Sequence, residues 1–409
     1  MAKPGLKRRF PSLKDLVQLM RFRKIHLRRT DRLLARAFTI DDLRSIARKR
    51  TPKGPFDYTD GGADKELSML RARQSFESVQ FIPSVLRDVS EVNLTQKILG
   101  RDAKLPVGIS PTGFTRMMHS EGEIAGAMAA EAFGIPFTLS TMGTRSIEEV
   151  ASAAPNGRNW FQLYMWKERD RSMALVERAA KAGFEALVMT VDVPVAGDRL
   201  RDKYNGLTIP PALSLRTLTN AAPRIGWWWN FLTTDPLKFA SLDSWNGTVA
   251  ELLDSMFDPT VTFEDLKWIR KQWDGKLIVK GVQNSQDALS AARAGADAVI
   301  LSNHGGRQLD KAPVPFRLVP EVAKKIGKDV EVYMDSGILH GADIVAAIAS
   351  GAKFTMVGRA YLYGLMAGGR QGVDATFNIL TQQMTRTMKL LGVRELSELT
   401  PNHISDYKQ

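Results

Sequence analysis

From about residue 100 onward the chain alternates short, β-rich and mostly apolar runs with longer stretches whose apolar positions recur every three to four residues. The first kind predicts buried strands at Leu105–Ser110, Pro136–Ser140, Trp160–Tyr164, Ala186–Val191, Leu277–Lys280, Asp297–Leu301, Glu331–Asp335 and Phe354–Val357. The second predicts helices between them, among them Glu123–Phe133, Ser172–Ala182, Ser285–Ala294 and Gly341–Ser350. Gly134, Gly183, Gly295 and Gly351 stand where a left-handed helix end favours glycine. Eight strand–helix units predict an α/β fold, a closed (β/α)8 TIM barrel. An open doubly wound sheet is the competing architecture, but it usually carries G-x-G-x-x-G after its first strand, and no two glycines here are two apart. A Walker A loop, H-E-x-x-H and G-x-S-x-G are also absent.

Ahead of the barrel, Thr39 with Asp41 and Asp42 reads as a helix N-cap and acidic first turn, and Tyr58 stands beside the turn Gly61-Gly62. Two stretches break the rhythm. Between the fourth and fifth strands lie about 85 residues, Asp192–Lys276, with Trp227-Trp228-Trp229-Asn230-Phe231-Leu232 inside them. A connection of that length is normally a lid or a contact surface. The aromatics suit packing on the barrel, a membrane interface or a subunit contact. The other stretch is the N-terminus. Residues 1–36 hold twelve Lys/Arg and two acids, leaving 45 Lys/Arg and 42 acids for the rest of a chain whose net charge is +13. Leu13, Leu16, Val17 and Met20 recur within it at helical spacing, so a short basic amphipathic helix is expected. It could pack on the barrel or a neighbouring subunit, or lie on an anionic bilayer. No nucleic-acid recognition motif accompanies the charge, and no nucleic-acid partner is expected. The expected division is therefore a basic arm at 1–36 and a barrel at 37–409, with an insertion at about 205–260.

With no cysteine, disulfides, thiolate zinc, iron–sulfur clusters and a thiol nucleophile are excluded. No apolar run approaches the ~20 residues of a membrane span, and the start lacks the apolar core of a secretory signal. The expected location is cytoplasmic, with peripheral attachment to the inner face of the cell membrane left open.

Catalytic groups of such a barrel come from the C-terminal ends of its strands. Read in turn, those ends are Ser110-Pro111-Thr112-Gly113, Ser140-Thr141-Met142, Gln162-Leu163-Tyr164, Thr190-Val191-Asp192, Lys280-Gly281, Ser302-Asn303-His304, Asp335-Ser336-Gly337 and Gly358-Arg359. Every one carries a hydrogen-bonding or charged group. Of five histidines, only His304 is followed by two glycines that leave room for a ligand against the backbone. Asp192 makes it a base with an orienting carboxylate. The guanidinium of Arg307 suits a substrate carboxylate, with Arg199 and Tyr58 as further clamps. Gly337 and Gly358-Arg359 match the place where these barrels hold a phosphate. Ser140, Gln162 and Thr190 could hydrogen-bond a heteroaromatic edge, and Lys280 could balance negative charge on it. Together these suit a phosphorylated flavin, with no metal.

The run Ser302-Asn303-His304-Gly305-Gly306-Arg307-Gln308-Leu309-Asp310 resembles the active-site motif of the FMN-dependent L-2-hydroxy acid oxidases and dehydrogenases. That group includes glycolate oxidase, lactate monooxygenase, flavocytochrome b2, mandelate dehydrogenase and bacterial L-lactate dehydrogenase. The resemblance runs from about Phe38 to the C-terminus, and Asp60-Gly61-Gly62-Ala63 and Gly358–Leu365 look most like the respiratory L-lactate dehydrogenases. It implies that FMN is the cofactor and that His304 takes a proton, from the 2-hydroxyl during hydride transfer to flavin N5 or from C2 in a carbanion scheme. Asp192 would stabilise the imidazolium, Tyr58, Arg307 and Arg199 hold the carboxylate, and Tyr164 contact the hydroxyl oxygen. Pro111, Thr112, Gly113, Ser140, Gln162, Thr190, Lys280 and Ser302 would surround the flavin ring, and Asp335, Gly337, Gly358 and Arg359 the ribityl chain and phosphate. It implies too that L-lactate is oxidised to pyruvate, that electrons pass to a quinone or similar acceptor, and that the assembly is a homotetramer. An oxygen-dependent oxidase or lactate monooxygenase is the alternative.

Three positions depart from the pattern. Leu339 stands where many relatives have an arginine that touches phosphate, so Arg359, backbone amides or His340 must do more. Met142 stands where glycolate oxidase has tryptophan, so side-chain preference should differ. Gly113, alanine in several relatives, should leave space near flavin N5.

Overall fold

A computed structural model describes residues 10–20, 27–206, 219, 222–237, 239–240 and 256–406. Eight parallel strands close into a barrel: β1 Val107–Ile109, β2 Pro136–Ser140, β3 Arg158–Leu163, β4 Ala186–Thr190, β5 Lys276–Val282, β6 Ala298–Leu301, β7 Glu331–Met334 and β8 Phe354–Val357. The ring is completed where β8 pairs with β1. Each expected strand is present, within three residues of its predicted ends. Their continuous apolar character follows from burial on both faces: alternate residues point into the barrel, others outward beneath the helices. Trp160, Val188, Ile278, Ile300, Tyr333 and Phe354 fill the interior as one buried cluster.

The lower end of the barrel is plugged by a hairpin that periodicity did not reveal. Gln96–Ile98 and Arg101–Ala103 pair across a turn with positive φ at Leu99 and Gly100, which sends Ile98 and Leu99 into the interior cluster. Three-residue strands are too short to show alternation.

Helices Ile40–Arg50 and Lys53–Asp60 lead to the opposite, open end. Thr39 caps the first as expected, and a reciprocal bond with Asp42 makes the cap a capping box. Tyr58 lies in the second, a helix that the spacing of its residues does not predict, just ahead of Gly61-Gly62. Asp60, nearly buried, accepts from Arg44 Nε at 2.6 Å, Arg201 Nη1 at 3.0 Å and the Tyr363 hydroxyl at 2.8 Å. Burial pushes its carboxyl up, but these donors outweigh it and hold the group below its ordinary value.

The N-terminal arm divides. Helix Arg29–Leu34 packs on the long C-terminal helix Arg359–Leu391 at its break, where Gly368 leaves room for Thr30 and Leu34. Helix Leu13–Leu19 forms where the spacing predicts one, capped by Ser12 and Asp15, but its apolar residues are open, with Leu13 82% and Leu19 78% exposed. That helix does not pack on its own barrel. His26 lies outside the described residues, as do 207–218 and 241–255 of the insertion. Among the described residues, no helix is long and apolar enough to cross a membrane.

Candidate active site

The strand ends surround one cavity of about 620 Å3, within the ~300–1,000 Å3 usual for small-molecule sites. After β6 the backbone turns through left-handed conformations at His304, Gly305 and Gly306, with φ of 59°, 65° and 72°. Such geometry costs a histidine about 1 kcal/mol and glycine little. It is held by the Ser302 hydroxyl, which accepts from His304 N at 3.0 Å, and by Asn303 Oδ1, which accepts from Gly306 N at 3.0 Å. The turn presents the imidazole to Asp192, the second residue beyond β4: His304 Nδ1 lies 3.0 Å from Asp192 Oδ1.

The Asp192 side chain is 1% exposed. Burial alone would raise its pKa, but His304 and then Lys280 outweigh that and keep it below the ordinary carboxylate value. Its Oδ1 is therefore available as an ionised acceptor, so His304 carries hydrogen on Nδ1 and leaves Nε2 basic. The Lys280 ammonium, also buried, lies 3.2 Å from Asp335 and donates to Ser302 Oγ at 3.0 Å. Burial opposes its charge, and the carboxylates of Asp335 and Asp192 more than restore it.

Opposite the imidazole, two guanidiniums flank one phenol. Arg307 Cζ lies 4.6 Å and Arg199 Cζ 5.2 Å from the centre of the Tyr58 ring. Arg307 donates to the Tyr58 carbonyl, which fixes it against the helix end. Burial and then repulsion from Arg199 push its pKa down to about 10. A bound carboxylate would relieve both. Tyr164 is held well above the ordinary phenol value by burial and then by Asp192, so it stays a donor.

The model of the FMN-dependent dehydrogenases matches residues 47–406. This chain belongs to that family. A Mycobacterium tuberculosis protein carrying the provisional name L-lactate dehydrogenase is 56% identical over 99% of this chain and 98% of its own. An L-lactate dehydrogenase of Vibrio cholerae is 38% identical over 88% and 96%. A crystal structure of the monotopic membrane protein (S)-mandelate dehydrogenase superposes with a TM-score of 0.87 at 36% identity, covering 91% of this chain and all of that one. The chain is an oxidoreductase of this family with FMN as cofactor and FMN-dependent 2-hydroxy acid dehydrogenase or oxidase activity.

The site fits that cofactor on its own chemistry. Gln162 Nε2 and Thr190 Oγ1 are buried with no hydrogen-bond partner. Ser140 Oγ donates to Gln162 Oε1 at 3.0 Å, which leaves the amide nitrogen as the free end. Buried polar atoms are rarely left so, and a heteroaromatic ring with acceptors would satisfy them. Ser140, bonded to Gln162, lines the cavity with Pro111, Thr112 and Gly113, as do Asp335, Gly337, Gly358 and Arg359 at its other end, while Thr190 lines a second cavity that shares Tyr164 and Val193 with it.

Three expectations change. A Cβ built on Gly113 would lie 2.9 Å from Met142 Cβ, so the missing methyl accommodates the neighbouring loop, whose Met142 carbonyl accepts from Phe114 N. His340 does not turn to the phosphate end: it is exposed, and its Nδ1 accepts from Ala342 N as a helix cap. Arg359 uses donors on the carbonyls of Thr59, Gly305 and Gly61, at 2.9, 2.7 and 2.6 Å. Three of its five N–H groups thus staple the turn that ends the Tyr58 helix to the His304 loop, leaving two for a ligand.

Arg73 was missed. It lines the cavity near Leu339, donating to the Gly337 carbonyl at 2.9 Å and pairing with Asp343. Nothing in the amphipathic pattern of helix Leu67–Glu77 distinguishes it from a surface arginine. Phe257, at the far end of the insertion, also lines the cavity and was missed.

Proposed function

We propose that the protein oxidises (S)-2-hydroxy acids, with L-lactate to pyruvate as its principal reaction, and passes the electrons to a quinone. The observation that carries the reading is the shared cavity: His304, paired behind it with Asp192, and the two guanidiniums about Tyr58 line one space. A 2-hydroxy acid has two polar ends one carbon apart, an anion and a hydroxyl, which suit those two groups.

Arg307, Arg199 and Tyr58 would hold the carboxylate, which fixes C2 and aims its hydroxyl at His304. His304 Nε2 would take the hydroxyl proton, and ionised Asp192 would stabilise the imidazolium that results. Tyr164 would donate to the substrate oxygen. FMN, when bound, supplies the acceptor for the hydrogen and electron pair leaving C2. Gln162, Thr190, Ser140 and Lys280 would hold its ring, Lys280 also balancing the negative charge it gains on reduction. Pro111, Thr112, Gly113 and Ser302 would line the ring, and Asp335, Gly337, Gly358 and Arg359 its phosphate-bearing chain.

A membrane acceptor is supported by helix Ile225–Thr233, which contains no charged residue and exposes Ile225, Trp229 and Leu232 at 76, 69 and 69%. These recur at i, i+4 and i+7, one face of a helix. Trp227 anchors it, donating to the Met117 carbonyl at 2.9 Å. With the basic arm, this face suits peripheral attachment to the inner face of the cell membrane.

An anaerobic substrate panel followed through the flavin absorbance tests the reaction. Bleaching by L-lactate supports it, and no bleaching by any 2-hydroxy acid rejects it. Turnover with oxygen exceeding turnover with a soluble quinone would replace the dehydrogenase reading by an oxidase or monooxygenase.

A further inference from the structure

We propose that Phe257, delivered by the end of the insertion between β4 and β5, is a specificity-determining residue that limits the size of the substrate side chain. The inference rests on the 2-hydroxy acid reading and deepens it. The reacting carbon has four substituents. The carboxylate belongs with Tyr58, Arg199 and Arg307, the hydroxyl with His304, and the departing hydrogen must face the cofactor. The remaining substituent is left with the rest of the cavity wall, whose apolar members on this side are Met142, Val193, Ala196 and Phe257.

Phe257 is the largest of the four and is firmly placed. Its ring meets Tyr164 edge to face, with centres 5.6 Å apart and an interplanar angle of 84°. Met256 is buried against Trp166 on one side of it. On the other, the Asp258 carboxylate accepts from Arg169 Nη1 at 2.7 Å and from Thr260 N at 2.9 Å. Both neighbours are pinned in the interior, so the ring cannot retreat without unseating one of them. Val193 and Ala196 lie on the same connection, just beyond Asp192. One excursion of the chain therefore supplies an orienting carboxylate, a carboxylate clamp in Arg199 and most of the side-chain wall.

The test uses holoenzyme of the wild type and of Phe257→Ala, Phe257→Leu and Phe257→Trp, each with its FMN content and melting temperature measured. Anaerobic reduction is followed with L-lactate, L-2-hydroxyoctanoate and (S)-mandelate. Binding of pyruvate and 2-oxooctanoate is read separately from the shift of the oxidised flavin spectrum. One methylene in an apolar pocket is worth roughly 10–200-fold in discrimination. Phe257→Ala should therefore raise kcat/KM for L-2-hydroxyoctanoate over L-lactate at least about tenfold. Leucine should give a smaller rise and tryptophan a fall, with the oxo acids moving in parallel. Should the alanine variant lose FMN or fail to fold, the leucine and tryptophan variants carry the comparison. A ratio unchanged within about twofold in every variant that retains FMN, where tenfold is expected, overturns the inference alone. A wild-type flavin that no 2-hydroxy acid reduces overturns the reaction, and this inference with it.

Discussion

Gly281 leaves the space that Asp192 occupies. At Gly281 φ is +104°, and a Cβ built there would stand 2.6 Å from both Cβ and Cγ of Asp192. The register of β5 against β6 shifts at this point, between Lys280 and Val282, so a bulge in one strand admits the carboxylate borne by its neighbour. A single methyl at 281 would drive Asp192 off the His304 imidazole. Gly281→Ala should reduce kcat by about 10- to 100-fold while FMN stays bound, the scale of losing the partner of a general base. Stopped-flow reduction with lactate checks it, and an unchanged rate would show that the 3.0 Å pairing of His304 with Asp192 does not limit the reaction.

His304→Ala should lower the rate of flavin reduction by about 10²–10⁴-fold with the flavin spectrum retained. Asp192→Asn should cost less and alter the pH profile as well, because an amide cannot stabilise an imidazolium as a carboxylate does. Pre-steady-state reduction between pH 5 and about 9 measures both. Equal, pH-independent losses in the two variants would argue against an acid–base role.

Arg307→Met removes one of two guanidiniums about Tyr58 and should raise KM for lactate at least as much as it lowers kcat. Losing a charge-assisted contact in a buried site costs about 2–4 kcal/mol in kcat/KM. Arg307→Lys should recover little, since an ammonium cannot both hold the Tyr58 carbonyl and grip a carboxylate in a fork. A lysine variant with wild-type kcat/KM would reject that geometry.

Removing FMN should destabilise the protein, because the unpaired amide of Gln162 and hydroxyl of Thr190 would then be satisfied by water alone. At a hundred times Kd, a ligand adds about 2.7 kcal/mol. The holoenzyme should therefore melt several degrees above the apoprotein, and Gln162→Ala should narrow that interval. Differential scanning calorimetry with FMN titrated back reads the effect.

The Asp60 carboxylate predicts a defined acid sensitivity. Its folded pKa is depressed, so its stabilisation is complete above the ordinary carboxylate value of about 4 and disappears as the pH falls through the lower, native value. Asp60→Asn should cost about 2–4 kcal/mol at pH 7, toward the lower end because Arg44 is half exposed, and progressively less below pH 4. A difference in melting temperature that stays constant from pH 7 to about 3 would contradict this.

Membrane attachment is tested by flotation with vesicles containing anionic lipid. Exposed Trp229 and Leu232 are each worth about 1.5–3 kcal/mol if buried in lipid, so replacing both by serine should release the protein at least tenfold. Removing residues 1–28, which leaves helix Arg29–Leu34 on the body, should weaken binding most at low salt. Unaltered flotation in both variants would mean that these segments face something other than lipid.

Local pattern was sufficient for the architecture. The eight strands were legible because a parallel barrel buries both faces of every strand, and helices such as Arg169–Lys181 and Ser285–Arg293 because each buries one face, although Gly341–Ala349 is buried almost all round. The strand ends Gln162, Thr190, Lys280, His304 and Asp335 were legible for the same reason, since polarity appears abruptly where each apolar run stops. The plug at residues 96–103 was not, being too short for periodicity, and neither was the helix carrying Tyr58.

What the amino-acid order alone determined was therefore which residues end the strands, because hydrophobic burial along one strand depends on neighbours in the chain. Tertiary structure decided what those residues do to one another. That His304 pairs with Asp192 across 112 positions, that Gly281 makes room for the pairing, that Arg359 staples two loops and that Phe257 returns from the insertion to the cavity are matters of close approach between distant segments. Such contacts follow from closing the barrel, which brings loops together by geometry that no periodicity along the chain records.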